Sequence, residues 1–273
     1  MFSTIHVAGV VAFFVFLLMH LAPGDPAAVI AGSSAMPEDV ERIRARLGLD
    51  EPIYNQFGKW ISNVLQGDLG DSIFSEMPVT KLIAQRIEPT LSLATTSILI
   101  AIFIAVPLGV IAAWKAGTWI DYSVMIFAVF GFSIPVFVIG YLLMYGFSIQ
   151  NPIFPVQGFV SITEGIIPFL RRITLPSIAL GLIYAALIAR ITRASMLEVL
   201  AQDYVRTAHA KGLSSRVVLL RHALKNASVP IVTIIGVGIS LLIGGVVVTE
   251  GVFNSPGLGR LVVDAVRQRE SPG

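Results

Sequence analysis

Apolar residues are concentrated along this chain in long stretches separated by polar and charged segments. A membrane-spanning helix needs about 20 consecutive, predominantly apolar residues. The stretches that qualify are Phe2–Leu21, Thr90–Trp114, Tyr122–Phe147, Leu175–Ile191 and Val229–Thr249. The pattern therefore predicts an all-α integral membrane protein, a polytopic helical bundle with about five spans. A cleaved signal peptide is the alternative for the first stretch, which lacks a basic leader and is longer than a usual signal core.

Composition supports a membrane protein and excludes several functions. Of 273 residues, 55% are hydrophobic and 13% charged, whereas soluble domains carry about 25% charged residues. The net charge of +2 comes from cations that flank apolar runs, so no nucleic-acid partner is expected. The chain has no cysteine and its 4 histidines show no ligand spacing, so we predict no thiol chemistry, metal or other cofactor.

Charges between the stretches predict how the spans point. Residues 190–225 carry 7 Lys or Arg against 2 acidic residues, and such basic loops stay in the cytoplasm. The loop 195–228 and the link 115–121 are therefore predicted inside, and the segments 22–89 and 148–174 outside. The expected organisation is a first span in 1–22, an outer loop with cap helices in 23–89, a transmembrane core with the loop 195–228 in 90–249, and a further outer loop in 250–273.

The first outer loop is expected to contain two short helices. Pro37 is suited to the first position of a helix and Gly48 to its end. A second helix is predicted from the helical spacing of Ile53, Phe57, Trp60, Ile61 and Val64. It either lies at the membrane surface or forms a cap packed on the outer ends of the spans.

Ionisable residues are missing where a self-powered transporter would need them. The second, third and fifth stretches contain no Asp, Glu, Lys or Arg, and Arg190 at the inner end of the fourth can reach the interface. Ion-coupled carriers usually place such groups near mid-membrane. The Gly58-Lys59 pair is followed by Trp60, so there is no phosphate-binding loop either. Catalysis is not predicted, and any energy would come from another polypeptide.

Several residues predict where the spans bend or approach one another. Pro107 and Pro135 remove backbone hydrogen bonds and favour kinks. Gly236, Ser240 and Gly244 fall four residues apart and predict a face for close helix contact, either static or moving.

The basic loop 195–228 is predicted to be structured. Met196–Ala210 has helical spacing, Gly212 can take the left-handed conformation that ends a helix, and Ser214 or Ser215 can cap a second helix. Arg216, Arg221 and Lys225 lie on the polar side of that helix. The resulting helix–glycine–helix elbow either docks a cytoplasmic partner or rests on anionic lipid.

The elbow resembles the EAA coupling loop of ABC-importer permeases, in the version of the dipeptide/oligopeptide (and nickel) permease family. The similarity rests on Gln202–Leu213 (QDYVRTAHAKGL), Arg221–Ala227 (RHALKNA) and Pro230. Three further motifs agree in order: Leu21–Pro26 (LAPGDP); Gly67–Gly70 (GDLG) with Pro89–Leu91 (PTL); and Val252–Phe253 with Pro256–Leu261 (PGLGRL). The resemblance extends over almost the whole chain.

The resemblance implies a permease subunit that imports peptides across the bacterial inner membrane. Its implied partners are a second homologous permease, two cytoplasmic ATP-binding subunits, a periplasmic solute-binding protein and the lipid bilayer. The implied ATPase-coupling residues are Asp203, Tyr204, Arg206, Thr207, Ala208, Lys211, Gly212, Arg221 and Asn226. No substrate-binding residue is assigned. The alternatives are a nickel or other small-solute importer, an ion-coupled carrier, and a membrane scaffold without transport.

The chain also departs from the family pattern. Arg206 stands where the general motif has Glu, and Pro230 falls later than in that motif; both fit the peptide branch. Members of the family continue past the PGLG motif with a further span, so we expect a sixth span to be missing here, with a non-functional truncated permease as one consequence.

Overall fold

The computed structural model describes residues 2–21, 26–31, 36–46, 48–72, 75 and 77–268. These residues are helical apart from turns, loops and one isolated β-bridge between Asp71 and Pro78. The predicted all-α class is therefore confirmed. Part of the LAPGDP motif and the last five residues of the chain lie outside the described residues. The chain forms two compact units, one of residues 1–85 with 264–273 and one of residues 86–263.

The first unit contains short helices after one long apolar helix. These are α1 (Phe2–Leu21), α2 (Pro26–Ala31), α3 (Pro37–Arg46) and α4 (Ile53–Leu65). Pro37 begins α3 as predicted, and Gly48 just after it has a φ of 68°, the left-handed conformation of a helix end. Both helices expected in the first outer loop are therefore present.

Aromatic contacts join α4 to α1. The ring of Phe57 lies 5.6 Å from that of Phe13 and 5.2 Å from that of Phe16, and the Trp60 ring lies 5.7 Å from Phe16. Edge-to-face pairs at these distances add to the energy of apolar burial. The aromatic face of α4 thus packs on a helix of its own unit, which favours the cap over a helix lying on the lipid surface.

From residue 79 onward the chain is built mainly of long helices. They are α5 (Val79–Trp114), α6 (Trp119–Ser133), α7 (Val136–Met144) with a π-helical segment (Tyr145–Gln150), a 3₁₀ turn (Ile162–Glu164), α8 (Ile166–Leu200), α9 (Asp203–Ala210), α10 (Ser215–Val217) with a second π-helical segment (Val218–Ala223), α11 (Leu224–Val252) and α12 (Leu258–Gln268). Among the described residues, α5, α8 and the helix Ser215–Val252 are long and apolar enough to cross a membrane. They match the predicted second, fourth and fifth spans.

The predicted third span is broken. Residues Trp119–Ser133 and Val136–Gln150 meet at an angle of 100° and qualify as a span only together. Ile134 before Pro135 has an extended backbone, because a proline ring clashes with a helical residue before it. The kink predicted at Pro135 is confirmed, whereas Pro107 lies inside the continuous helix α5.

Helix α8 lies at the centre of the second unit. Of its most apolar stretch, 67% is buried inside the protein, whereas only 22% of the most apolar stretch is buried in the span that contains α11. Its residues Leu180, Tyr184 and Ile188 form one core with Leu93 of α5 and Leu242 of α11. The other spans therefore pack around α8.

Glycines let the other spans approach α8 closely. A methyl group on Gly109 of α5 would lie 2.6 Å from the Cβ of Thr192, and one on Gly245 of α11 would lie 2.7 Å from the Cδ1 of Leu180. Real Cβ atoms do not approach other atoms so closely, so Gly109, where the methyl group would also lie 2.7 Å from the Ala189 carbonyl, cannot be replaced without a shift of backbone. At Gly245 the Leu180 side chain would have to move.

The small-residue face predicted on the fifth span does not make this packing. Gly236, Ser240 and Gly244 are exposed, and a methyl group on either glycine would meet nothing within 4 Å. Gly238 and Gly245 lie on the packed side instead. The expected close contact is therefore wrong within this chain, because α11 is apolar all round and carries small residues on two faces.

Candidate functional site

The elbow predicted from the sequence is continuous with the helices on either side. Helix α8 runs on to Leu200, the chain turns at residues 201 and 202, and α9 follows from Asp203 to Ala210. After Gly212 the next helical stretch begins at Ser215 and continues into α11. We call residues 201–223 the elbow. It differs from the sequence prediction in its first half, because a turn separates α9 from Met196–Leu200.

Gly212 ends α9 in the predicted conformation. Its φ is 80°, its N–H donates to the carbonyl of His209 at 2.9 Å, and the N–H of Leu213 donates to the carbonyl of Ala208 at 3.3 Å. These two bonds form a Schellman motif, which satisfies carbonyls left open at a helix end. Ser214 takes the position before the next helix, but its side chain makes no capping hydrogen bond.

The inner face of the elbow is a small apolar cluster. Val205, Ala208 and Val218 are 3%, 6% and 0% exposed and pack together with Leu200. The Ala208 side chain packs against the elbow itself, and its small size lets α9 approach the π-helical segment.

A second cluster fastens the elbow to the spans. Leu219 and Ala223 in the π-helical segment are buried with Val110 and Ala113 of α5 and Met196 of α8. A π-helical segment inside a longer helix is rare and often lies at a functional site. The elbow therefore rests on α5 and α8 as a packed unit.

Tyr204 and Asn226 link the elbow to α11. The Nδ2 of Asn226 donates to the Tyr204 hydroxyl at 2.8 Å and to the carbonyl of His222 at 3.0 Å. The two residues lie in separate motifs of the predicted coupling set, and the structure brings them together. Their hydrogen bond is exposed, so it orients α9 more than it stabilises the fold.

The outer face of the elbow is polar and mostly cationic. The exposed members of the predicted set are Asp203, Tyr204, Arg206, Thr207, Lys211, Gly212, Arg221 and Asn226. Arg206 lies 3.4 Å from Asp203, but both side chains are more than three-quarters exposed, at 78% and 94%, so the pair contributes little. Arg216 and Lys225 are exposed as well. The structure thus leaves every predicted residue except Ala208 on the outside.

Substituting Ala208 tests the inner face. We expect Ala208→Leu to destabilise the elbow by about 1–3 kcal/mol, because the larger side chain must displace Val205 or Val218. Ala210→Leu is the matched control, since Ala210 is exposed on the same helix. Amide exchange of residues 203–213 in the isolated subunit should be faster for Ala208→Leu alone; equal exchange in both variants would contradict the packing.

An ion pair that the sequence did not predict lies near the end of α8. The guanidinium of Arg193 donates through Nε to Oδ1 of Asp121, and through Nη2 to Oδ2 at 2.7 Å. Gly117 N–H also donates to Oδ2, at 3.0 Å. The Asp121 side chain is 2% exposed and that of Arg193 26%. The pair fastens the start of α6 to α8 about two turns before the elbow.

Comparison with known proteins identifies the family. Residues 105–272 match the model of binding-protein-dependent transport system inner membrane components, and residues 1–94 match the N-terminal model of such membrane components. The chain is 52% identical over 270 residues to a probable peptide ABC transporter permease of Sinorhizobium fredii, covering 99% of this chain and 86% of the relative. It is 46% identical over 263 residues to the glutathione transport system permease GsiC of Escherichia coli, covering 96% and 83%.

A third relative gives the same picture. A putative peptide transport system permease of Brucella suis is 45% identical over 263 residues, covering 96% of this chain and 84% of the relative. Permeases of such systems work with ATP-binding and substrate-binding subunits and reside in the inner membrane. The family suggested by the motifs is therefore confirmed: this chain belongs to the multi-pass inner membrane permeases of binding-protein-dependent ABC importers.

Proposed function

We propose that this chain is the permease subunit of an importer for di- or oligopeptides, powered by ATP hydrolysis on separate subunits. Support comes from the relatives reported above, two named for peptide and one for glutathione transport. These names favour peptides over nickel as the solute. The observation that carries the coupling role is the elbow, whose exposed cationic face lies over an apolar inner face.

The elbow is suited to transmit movement because it is packed against the spans. Its π-helical segment is buried against α5 and α8, and the same helical stretch continues into α11. A displacement of α9 by a bound subunit would therefore move three spans together. In this proposal Asp203–Gly212 seats on an ATP-binding subunit, with Arg206, Lys211 and Arg221 making polar contacts to it.

The proposed assembly contains a second permease of similar fold, two ATP-binding subunits and a periplasmic solute-binding protein. The loop 195–228 then faces the cytoplasm, and the segments 23–89 and 250–273 face the periplasm. Residues 90–249 form the permeation core. ATP binding and hydrolysis take place on the partner subunits in this arrangement.

Reconstitution tests the proposal. The chain is purified together with the proteins encoded by adjacent genes and reconstituted in proteoliposomes. A library of short peptides, nickel and glutathione is supplied on the outside. We expect peptide uptake that requires internal ATP and the solute-binding protein. Uptake driven by a proton or sodium gradient without ATP would support an ion-coupled carrier instead, and ATP-driven uptake of nickel alone would overturn the peptide assignment.

A further inference from the structure

The carboxylate of Glu250 is buried at the end of α11. The residue is 0% exposed and lies two residues before the helix ends. Its Oε1 accepts a hydrogen bond from the Thr90 hydroxyl of α5 at 2.6 Å, and its Oε2 accepts one from the N–H of Arg260 at 3.0 Å. Neutral groups therefore donate to both oxygens. A buried carboxylate is costly unless it is hydrogen-bonded, so this arrangement needs both donors.

Thr90 completes a three-way connection. Its hydroxyl donates to Glu250 and accepts from the N–H of Leu258, the first residue of α12, at 2.8 Å. The first turn of α12 thus offers backbone N–H groups to a carboxylate and a hydroxyl supplied by two other helices. Open N–H groups at a helix start favour negative charge, which makes Glu250 a remote cap for α12. We call Thr90, Glu250 and residues 257–260 the anchor.

The anchor gives a structural reason for the PGLG motif, which the role of the elbow does not explain. A methyl group on Gly257 would overlap the carboxylate of Glu250. One on Gly259 would lie 2.7 Å from the Cα of Val247 and 3.0 Å from Oε2 of Glu250. Neither glycine has a positive φ, so both are required for close approach and not for a turn. The motif therefore belongs to the segment that supplies the backbone N–H groups of the anchor, while Thr90 and Glu250 supply the side chains.

The anchor and the elbow contact α5 and α11 at positions that are far apart along each helix. On α5, Thr90 is about 30 Å along the helix axis from Val110, which packs beneath the elbow. On α11, Glu250 is separated from Ala227 in that same cluster by about 35 Å of helix. A change at the elbow can therefore reach the anchor through α5 and α11, which are packed against α8 along the way.

We propose that Glu250 is a positioning residue, whose buried carboxylate holds the first turn of α12 on α5 and α11. By doing so it makes ATP hydrolysis by the assembled importer responsive to solute on the side of the membrane opposite the ATP-binding subunits. The responsiveness rests on the proposed function. The hydrogen-bonded anchor itself does not, and the two parts are measured separately.

The anchor is tested first on the isolated subunit in lipid nanodiscs. Thr90→Val keeps the shape of Thr90 but removes both hydrogen bonds, whereas Thr90→Ser keeps the hydroxyl. We expect amides of residues 258–261 to exchange at least ~10-fold faster in Thr90→Val and in Glu250→Ala than in the native chain, and near the native rate in Thr90→Ser. Equal protection in all four proteins overturns the proposal, whether or not the chain transports anything.

The second measurement uses the complete importer. For each variant, ATPase activity per assembled complex is measured with and without solute-loaded binding protein. We expect the stimulation ratio to fall at least ~5-fold in Thr90→Val and Glu250→Ala and to return in Thr90→Ser. A native ratio with less complex assembled would show a purely structural anchor and overturn the positioning role. If the native complex itself shows no ATP-driven uptake, the proposed function fails, while the exchange result still decides the anchor.

Discussion

Gly212→Asp is expected to leave the permease inserted and folded while reducing solute uptake at least tenfold. The backbone of Gly212 has a φ of 80°, a conformation in which Asn and Asp are the least strained side chains after glycine. A Cβ at this position would meet nothing within 4 Å, so the new side chain has room. The substitution therefore changes what a partner meets on the elbow, with little change in the elbow itself.

The expected loss comes from charge. Lys211 and Arg216 are exposed on either side of Gly212, and a carboxylate between them would neutralise part of the cationic face. A tenfold lower uptake rate corresponds to about 1.4 kcal/mol of activation free energy. ATP hydrolysis by the assembled complex should continue, because the ATP-binding subunits are unchanged, but it should no longer be tied to uptake.

Gly212→Asn is the matched control, because it has the shape of Asp without the charge and tolerates the left-handed conformation. We expect it to retain about half of the native uptake or more. Both variants are compared by membrane level, ATPase activity and ATP-dependent uptake in the same proteoliposomes. Native uptake by Gly212→Asp would contradict the coupling role of this turn, and equal loss in both variants would assign the effect to volume instead of charge.

The sequence predicted the position of Gly212 because local chemistry alone decides it. A glycine after a helical stretch with Lys211 before it is sufficient to predict a left-handed helix end. The same is true of Pro37 and Gly48 in the first unit. The second, fourth and fifth apolar stretches were predicted equally well, since their length alone indicates a spanning helix.

The local sequence could not distinguish Pro135 from Pro107, although the two prolines have different effects on their helices. Pro135 breaks the third span at 100°, whereas Pro107 lies inside the unbroken helix α5. The residue before Pro107 is Val106, which packs against the core that α8 forms with α5 and is held helical there. Ile134 has an extended backbone instead. Tertiary packing decides the outcome, and one sequence without its contacts does not reveal it.

Side chains that meet across long separations were also missed. Asp121 and Arg193 are 72 residues apart, and Thr90 and Glu250 are 160 apart. Asp121 and Glu250 each lie at the edge of a predicted apolar stretch, where charged residues are common. A carboxylate at the edge of an apolar stretch with no cation at helical spacing was the available signal, because such a group must find its donors elsewhere in the fold.

Removing the charge of Arg193 is expected to have the largest effect on the stability of the fold. Arg193→Met keeps the length of the side chain but leaves the Asp121 carboxylate, 2% exposed, with the N–H of Gly117 as its remaining donor. Breaking a buried pair in this way costs about 3–5 kcal/mol, because the remaining charge is no longer compensated. Asp121→Asn should cost less, since Arg193 is 26% exposed and can reach water.

The double variant Asp121→Leu with Arg193→Met separates the cost of an orphaned charge from the value of the pair. Both charges are gone, so we expect most of the stability lost in Arg193→Met to return. Thermal unfolding of the native chain, Asp121→Leu, Arg193→Met and the double variant in the same detergent forms a double-mutant cycle. If the double variant is as unstable as Arg193→Met, the pair itself holds α6 on α8. If Arg193→Met unfolds at the native temperature, the buried pair does not stabilise the fold.

Uptake by the double variant is a separate measurement. Recovery of stability without recovery of uptake would show that α6 must be fastened to α8 by this pair for movement of the elbow to reach the broken span.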